Sequence, residues 1–212
     1  MFLGSIHVFR NSPQPLFPVE RVGLEEVEVD PGFDLSKEEF VQSASIRWRF
    51  KMTEAMANSN RHQWAVISDM DVVPLRNWDH LFENRVEDVL VNKDCEGRLD
   101  PGLIAVRGDR LSEFAAEWSA ASSTVGFSEN QRIDALALEQ LLSSDSWKAG
   151  SFERGEVVRP FDEGANLLHC VDAAAVHLAG GTLKAKAKLA FALHMMWVYG
   201  DENGMFLDML ES

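Results

Sequence analysis

Twelve residues, Trp64-Ala65-Val66-Ile67-Ser68-Asp69-Met70-Asp71-Val72-Val73-Pro74-Leu75, constrain the fold more than any other stretch of the chain. The run is short, apolar and β-branched, and it turns abruptly polar. It therefore reads as a buried strand of an α/β sheet that delivers Asp69 and Asp71 to its carboxyl end. In open α/β sheets that end is where ligands bind. Strand side chains alternate, so two carboxylates two residues apart share a face and can together hold a hard dication bridging phosphate oxygens. The alternative is that both carboxylates cap turns or the following helix.

Composition narrows the class. The 212 residues are 46% hydrophobic and 25% charged, which suits one globular domain spanning residues 1–212 with a substantial core. With 34 acidic against 20 basic residues the formal charge is −14, which argues against a nucleic-acid partner. Cys95 and Cys170 lie far apart, with neither metal-ligand spacing nor a disulfide framework, as expected in a reducing compartment. The opening Met1-Phe2-Leu3-Gly4-Ser5-Ile6 lacks a basic segment followed by an apolar stretch of signal length. Nor does any apolar run reach membrane-spanning length. A cytoplasmic protein without a transmembrane segment is expected.

Strands are predicted at 6–9 and 22–29, separated by a loop punctuated by Pro13, Pro15 and Pro18. Ser36-Lys37-Glu38-Glu39 has capping-box spacing and opens a helix running to about Asn58, which returns through the central strand to Asp69. A short helix near 78–82, strands at 88–92 and 103–106, and helices over 109–121 and 131–142 follow. Strands at 157–159 and 173–177 and a long helix over 182–197 complete a Rossmann-like, mostly parallel sheet flanked by helices.

The second chemical cluster is His177-Leu178-Ala179-Gly180-Gly181-Thr182-Leu183-Lys184, at the end of the last strand. An imidazole, two glycines that let the backbone approach a ligand, and a lysine could supply a metal ligand, backbone donors and a counter-charge for a diphosphate. The alternative is a Gly-Gly loop before an amphipathic helix, with a core histidine and solvated lysines.

Together the two clusters resemble the GT-A fold glycosyltransferases, particularly the retaining families in which a strand-borne Asp-x-Asp is completed by a late His-x-x-Gly-x-x-Lys type motif. The resemblance runs from about residue 46 to 190 and implies a single GT-A-like domain. It implies that Asp69 and Asp71, with His177, hold Mn²⁺ or Mg²⁺ on a nucleotide-diphosphate-sugar donor, and that the sugar passes to a glycan, lipid or protein acceptor. Gly180, Gly181 and Lys184 would then meet the departing diphosphate, although Lys184 stands one residue further from the histidine than in the commonest pattern. Asp100-Pro101-Gly102 is similar to the (Asn/Asp)-x-Gly step at the donor sugar, and an ordinary Pro-Gly turn is the other reading. Glu129-Asn130-Gln131 is similar to the Asp-Gln element beside sugar and acceptor, which makes Gln131 a contact and leaves Glu129 or Asp134 to supply the charge missing at Asn130. Arg47, Arg49 and Lys51 precede the central strand where such enzymes place a cation toward the donor; a solvated basic face is the alternative. The strand at 6–9 resembles the family's second, so either the start is shortened or divergent relative to the family, or base recognition is done otherwise.

Two rival readings remain open. Asp69-Met70-Asp71-Val72-Val73 also fits the nucleophile motif of haloacid-dehalogenase-like phosphatases, but no predicted strand between residues 72 and 110 ends in the Ser or Thr that chemistry needs. A non-catalytic GT-A-like binding domain is the other.

Overall fold

The computed structural model describes residues 6–10, 24–28, 41–59, 62–69, 71–75, 77–94, 96–125, 132–153, 155–159 and 173–179, with side chains described from residue 49 to 58 and from 62 onward. In chain order the first elements are β1 (Ile6–Arg10), β2 (Leu24–Glu28), α1 (Val41–Ser59), β3 (Trp64–Ser68), β4 (Val72–Pro74), α2 (Asp79–Phe82) and β5 (Val89–Lys93). They are followed by β6 (Leu99–Arg107), α3 (Leu111–Val125), α4 (Ile133–Leu142), β7 (Ala149–Ser151), β8 (Val157–Val158) and β9 (Ala175–His177). The chain divides into two compact units, residues 1–65 with 105–148 and residues 66–104 with 149–212.

In the first unit β1 and β2 pair in parallel, with Ile6 opposite Leu24 and Arg10 opposite Glu28. Here α3 buries Leu111, Phe114, Ala115, Trp118, Ala121 and Ser122. These residues recur three or four apart, the stripe that a 3.6-residue period aims at a core. The stripe is aromatic at its centre. Phe50 of α1 meets Trp118 edge-on at 4.8 Å, and Phe114 meets Trp147 edge-on at 5.7 Å. Such contacts add roughly 0.5–1.5 kcal/mol each beyond burial. The Trp118 indole N–H donates to the Asp134 carbonyl at 3.1 Å, so the ring brings no unpaired donor into the core.

The second unit takes in the chemistry-bearing segments: 66–68 of β3, 99–104 of β6, and all of β4, β5, β7, β8 and β9. One four-stranded sheet has the order β3-β6-β5-β7, and a three-stranded sheet has the order β4-β9-β8. Val89, Leu90 and Val91 of β5 and Leu103, Ile104, Ala105 and Val106 of β6 are all buried. Continuous apolar runs of this kind belong to strands covered on both faces. The sheets are mixed. β5 with β7 and β8 with β9 are parallel, whereas β4 with β9 is antiparallel.

Two expectations change here. The run from Trp64 to Leu75 is two strands in two sheets, and Asp69 and Asp71 occupy the crossing between them. Its tight turn is closed by the Val72 N–H, which donates to the Asp69 carbonyl at 3.2 Å. Second, Asp100-Pro101-Gly102 is neither a turn nor a lead-in, because β6 already begins at Leu99. The mostly parallel pairing expected of the chain holds for β1 with β2, β5 with β7 and β8 with β9, and β4 with β9 is the antiparallel pairing beside the aspartates. The capping box at 36–39 and the helix at 182–197 lie outside the described residues.

Candidate metal centre

Backbone pairing builds the centre first. The β4/β9 register sets Val72 opposite His177, Val73 opposite Val176 and Pro74 opposite Ala175. One residue beyond that ladder, the Leu178 N–H donates to the Asp71 carbonyl at 2.9 Å. The Asp69 N–H donates to the Gly102 carbonyl of β6 at 2.8 Å. Both aspartates are thus held by their main chains while their carboxylates stay partly exposed. The 173–178 segment is anchored further along, where the Ala174 carbonyl accepts the Leu75 N–H at 2.9 Å and the Trp78 indole N–H at 3.0 Å.

The side chains converge. Asp69, Asp71 and His177 each offer a ligand atom, and the three atoms lie within 4.8 Å of one another. His177 Nε2 is 3.4 Å from Asp71 Oδ1, with the imidazole only 3% exposed and the Asp71 side chain 31% exposed. Cation–ligand distances of about 2.0–2.6 Å put ligand pairs roughly 3–5 Å apart around one ion, so the spread of this trio fits a single dication. The donor set fits as well. Two carboxylates and an imidazole are a donor set that divalent ions accept.

Behind the imidazole lies a buried polar network. His177 Nδ1 is 2.6 Å from Asp100 Oδ2. The same oxygen accepts from Asn92 Nδ2 at 3.3 Å and lies 3.4 Å from Arg159 Nε. The Gly102 N–H donates to Asp100 Oδ1 at 3.2 Å. Burial alone would push the Asp100 carboxyl up, but the His177 hydrogen bond, the positive charges of His177 and Arg159 and the Gly102 N–H outweigh it and hold the group at about 2. Gly102 lies against the ring itself: a Cβ there would sit 2.1 Å from His177 Cε1.

The structure brings together Asp69, Asp71 and His177, the three residues singled out as candidate ligands in the sequence. Asp100 and Gly102 join the same centre, but they address the imidazole. Gly180, Gly181, Lys184 and Gln131 lie outside the described residues, as do Glu129, Asn130, Cys95, Cys170 and the Arg47 side chain. Arg49 forms an ion pair with Asp134 in the first unit, and Lys51 pairs with Glu54 at 2.9 Å. Asn92 and Arg159 escape motif reading altogether. The one signal for Asn92 is a polar residue closing the apolar run Val89-Leu90-Val91, and Arg159 directly follows the two-residue strand β8.

No protein-family model and no curated protein sequence matches the chain. Solved structures do. A glycosyltransferase involved in the glycosylation of the major capsid of PBCV-1 aligns with a TM-score of 0.59 at 13% identity, over 82% of this chain and 84% of that one. The galactosyltransferase LgtC, in complex with donor and acceptor sugar analogues, aligns at 0.46 and 11% identity over 81% and 76%. The glycosyltransferase GlyE of Streptococcus pneumoniae TIGR4 aligns at 0.49 and 10% identity over 88% and 50%. The first alignment carries the comparison: the chain has the fold of a GT-A-type glycosyltransferase. Among the described residues no helix is long and apolar enough to cross a membrane.

Proposed function

We propose that this chain is a glycosyltransferase that moves a sugar from a nucleotide-diphosphate-sugar donor to an acceptor, using a divalent cation held by Asp69, Asp71 and His177. The observation that carries the reading is the convergence of those three ligand atoms within 4.8 Å in a chain of glycosyltransferase fold. When bound, the cation supplies charge neutralisation to the diphosphate as the bond to the sugar breaks. Mn²⁺ is favoured over Mg²⁺ by the imidazole in the ligand set.

The chain's own residues have separable tasks in this reading. Asp69 and Asp71 bind and orient the cation, and His177, which ligates only through the uncharged form of its ring, completes the set without adding charge. Gly180, Gly181 and Lys184 serve the leaving diphosphate, Lys184 as a point charge whose attraction grows as the leaving group becomes more negative. Gln131 serves the sugar and acceptor side. The acceptor is a glycan, lipid or protein; the −14 formal charge speaks against nucleic acid.

A thermal-shift screen of nucleoside diphosphates and nucleotide-sugars with and without Mn²⁺, coupled to an assay for nucleoside diphosphate release, tests this. A ligand that binds only the native state raises stability by mass action. Stabilisation by one nucleotide-sugar that requires Mn²⁺ and is accompanied by turnover supports the proposal; metal-dependent stabilisation without turnover indicates a binding domain instead. The phosphatase reading is disfavoured because β4, β5 and β6 end in Pro74, Lys93 and Arg107 rather than in Ser or Thr. Phosphate release from simple phosphomonoesters with Mg²⁺, lost in Asp69→Asn, would restore it.

A further inference from the structure

We infer that Asp100 is a positioning residue which, with Gly102, holds the His177 imidazole so that Nε2 presents its lone pair toward Asp71. The inference rests on the metal-centre reading above and departs from the donor-sugar contact that the Asp100-Pro101-Gly102 resemblance suggests.

The geometry argues for it in three steps. An ionised carboxylate only accepts hydrogen bonds, so across the 2.6 Å contact it is His177 Nδ1 that donates to Asp100 Oδ2. A neutral imidazole protonated at Nδ1 has its lone pair at Nε2, the nitrogen that lies 3.4 Å from Asp71 Oδ1. A carboxylate behind a ligating histidine fixes both tautomer and ring orientation in this way.

The carboxylate is itself held. Asn92 Nδ2 at 3.3 Å and Arg159 Nε at 3.4 Å approach Oδ2, and the Gly102 N–H donates to Oδ1 at 3.2 Å. With its side chain only 4% exposed, Asp100 is oriented toward the ring and away from solvent. Gly102, two residues along the same strand and therefore on the same face, provides the space. A Cβ there would lie 2.1, 2.6 and 3.0 Å from Cε1, Nε2 and Nδ1 of the imidazole. The Gly102 carbonyl also accepts the Asp69 N–H at 2.8 Å. Two alternate residues of β6 thus set both His177 and Asp69, although neither is a ligand.

The test reads the proton directly. Nitrogen-15 NMR of the metal-free protein at pH 9 is expected to show His177 protonated at Nδ1 alone. In Asp100→Asn the side chain keeps its size but must point an NH₂ at Gly102 N–H or at the donors around Oδ2. Both tautomers are then expected, and affinity for Mn²⁺ alone, followed by electron paramagnetic resonance, is expected to fall by about 10–100-fold. A proton on Nε2 in the metal-free wild type overturns the inference, as does a folded Asp100→Asn that binds Mn²⁺ within twofold of wild type. The wild-type spectrum needs no variant, so a variant that fails to fold leaves the test in place. The two readings also fail separately. Nδ1 protonation in a wild type that does not bind Mn²⁺ removes the metal reading and leaves the Asp100 role standing, whereas Mn²⁺ binding with the proton on Nε2 removes the Asp100 role alone.

Discussion

Replacing Gly102 by alanine probes the imidazole slot with a single methyl group. The backbone there is outside the left-handed region, so alanine suffers no main-chain strain, and any cost must come from the contact it makes. The new Cβ would stand 2.1 Å from His177 Cε1, and ordinary contact begins at 3.4 Å, so the ring must retreat by 3.4 − 2.1, about 1.3 Å. It has little room to do so. Val176 on one side and Leu103 beside the glycine are 0% and 1% exposed, and a ring that moves lengthens its 2.6 Å bond to Asp100. Two terms compete. Alanine narrows the unfolded ensemble, which favours the variant by about 0.4–1 kcal/mol. Overpacking costs about 1–3 kcal/mol, and weakening a hydrogen bond to a charged group costs about 1.5–3 kcal/mol more if it is lost. The cost prevails, with a net destabilisation of about 1–4 kcal/mol. Urea denaturation should show a lower midpoint at unchanged slope, and Mn²⁺ titration should show affinity at least about tenfold lower, the range seen when support behind a ligand is lost. Wild-type midpoint and wild-type affinity together would refute the close approach of Gly102 to the ring.

Asp71→Asn removes a ligand charge while relieving repulsion with Asp69, so Mn²⁺-dependent stabilisation by nucleotide-sugars should vanish while metal-free stability stays within about 0.5 kcal/mol; unchanged metal dependence on thermal shift would rule Asp71 out as a ligand. Because Asp100 is held at about 2 against an ordinary 3.8, it stabilises the fold above pH 4 by about 2 kcal/mol, and this is lost as pH falls from 3.8 toward 2. The stability gap between wild type and Asp100→Asn should therefore narrow by about that amount between pH 5 and pH 2, and a gap independent of pH contradicts the assignment. Arg49→Met leaves Asp134 without its partner in a site where the two side chains are 14% and 10% exposed, and should cost about 3–5 kcal/mol. Lys51→Met, in a pair whose side chains are 44% and 37% exposed, should cost under about 1 kcal/mol; equal costs in denaturation would contradict the burial difference.

The candidate trio is legible in the sequence because its chemistry sits in local patterns: two carboxylates after an apolar run, and a histidine closing Ala173-Ala174-Ala175-Val176. The route by which they meet is not. Carboxyl ends of parallel strands in one sheet would have sufficed, but His177 reaches Asp71 through the antiparallel β4/β9 ladder. Local pattern cannot reveal this, since Val66-Ile67 and Val72-Val73 are equally good strand residues and nothing local says that the chain changes sheets between them. The turn alternative at Asp100-Pro101-Gly102 fails for a different reason. Proline and glycine punctuate turns, and proline is rare inside strands, yet β6, flanked by β3 and β5, contains both near its start. What the glycine provides there is space for a ring 75 residues later (177 − 102), a requirement no local window contains.

The Val72–His177 register joins positions that more than 100 residues of chain separate, and this has a consequence for biosynthesis. At roughly 5–20 residues per second, about 5–20 s pass between synthesis of β4 and of its partner β9. Throughout that interval the nascent chain carries both carboxylates without the histidine, and Val72 and Val73 without the neighbour that pairs them. Pro74, which ends β4, limits what else can dock along that strand in the meantime, since it has no N–H to offer a stray partner. A chain released before residue 177 would hold two of the three candidate ligands, so under the proposed function cation binding would report on synthesis through β9.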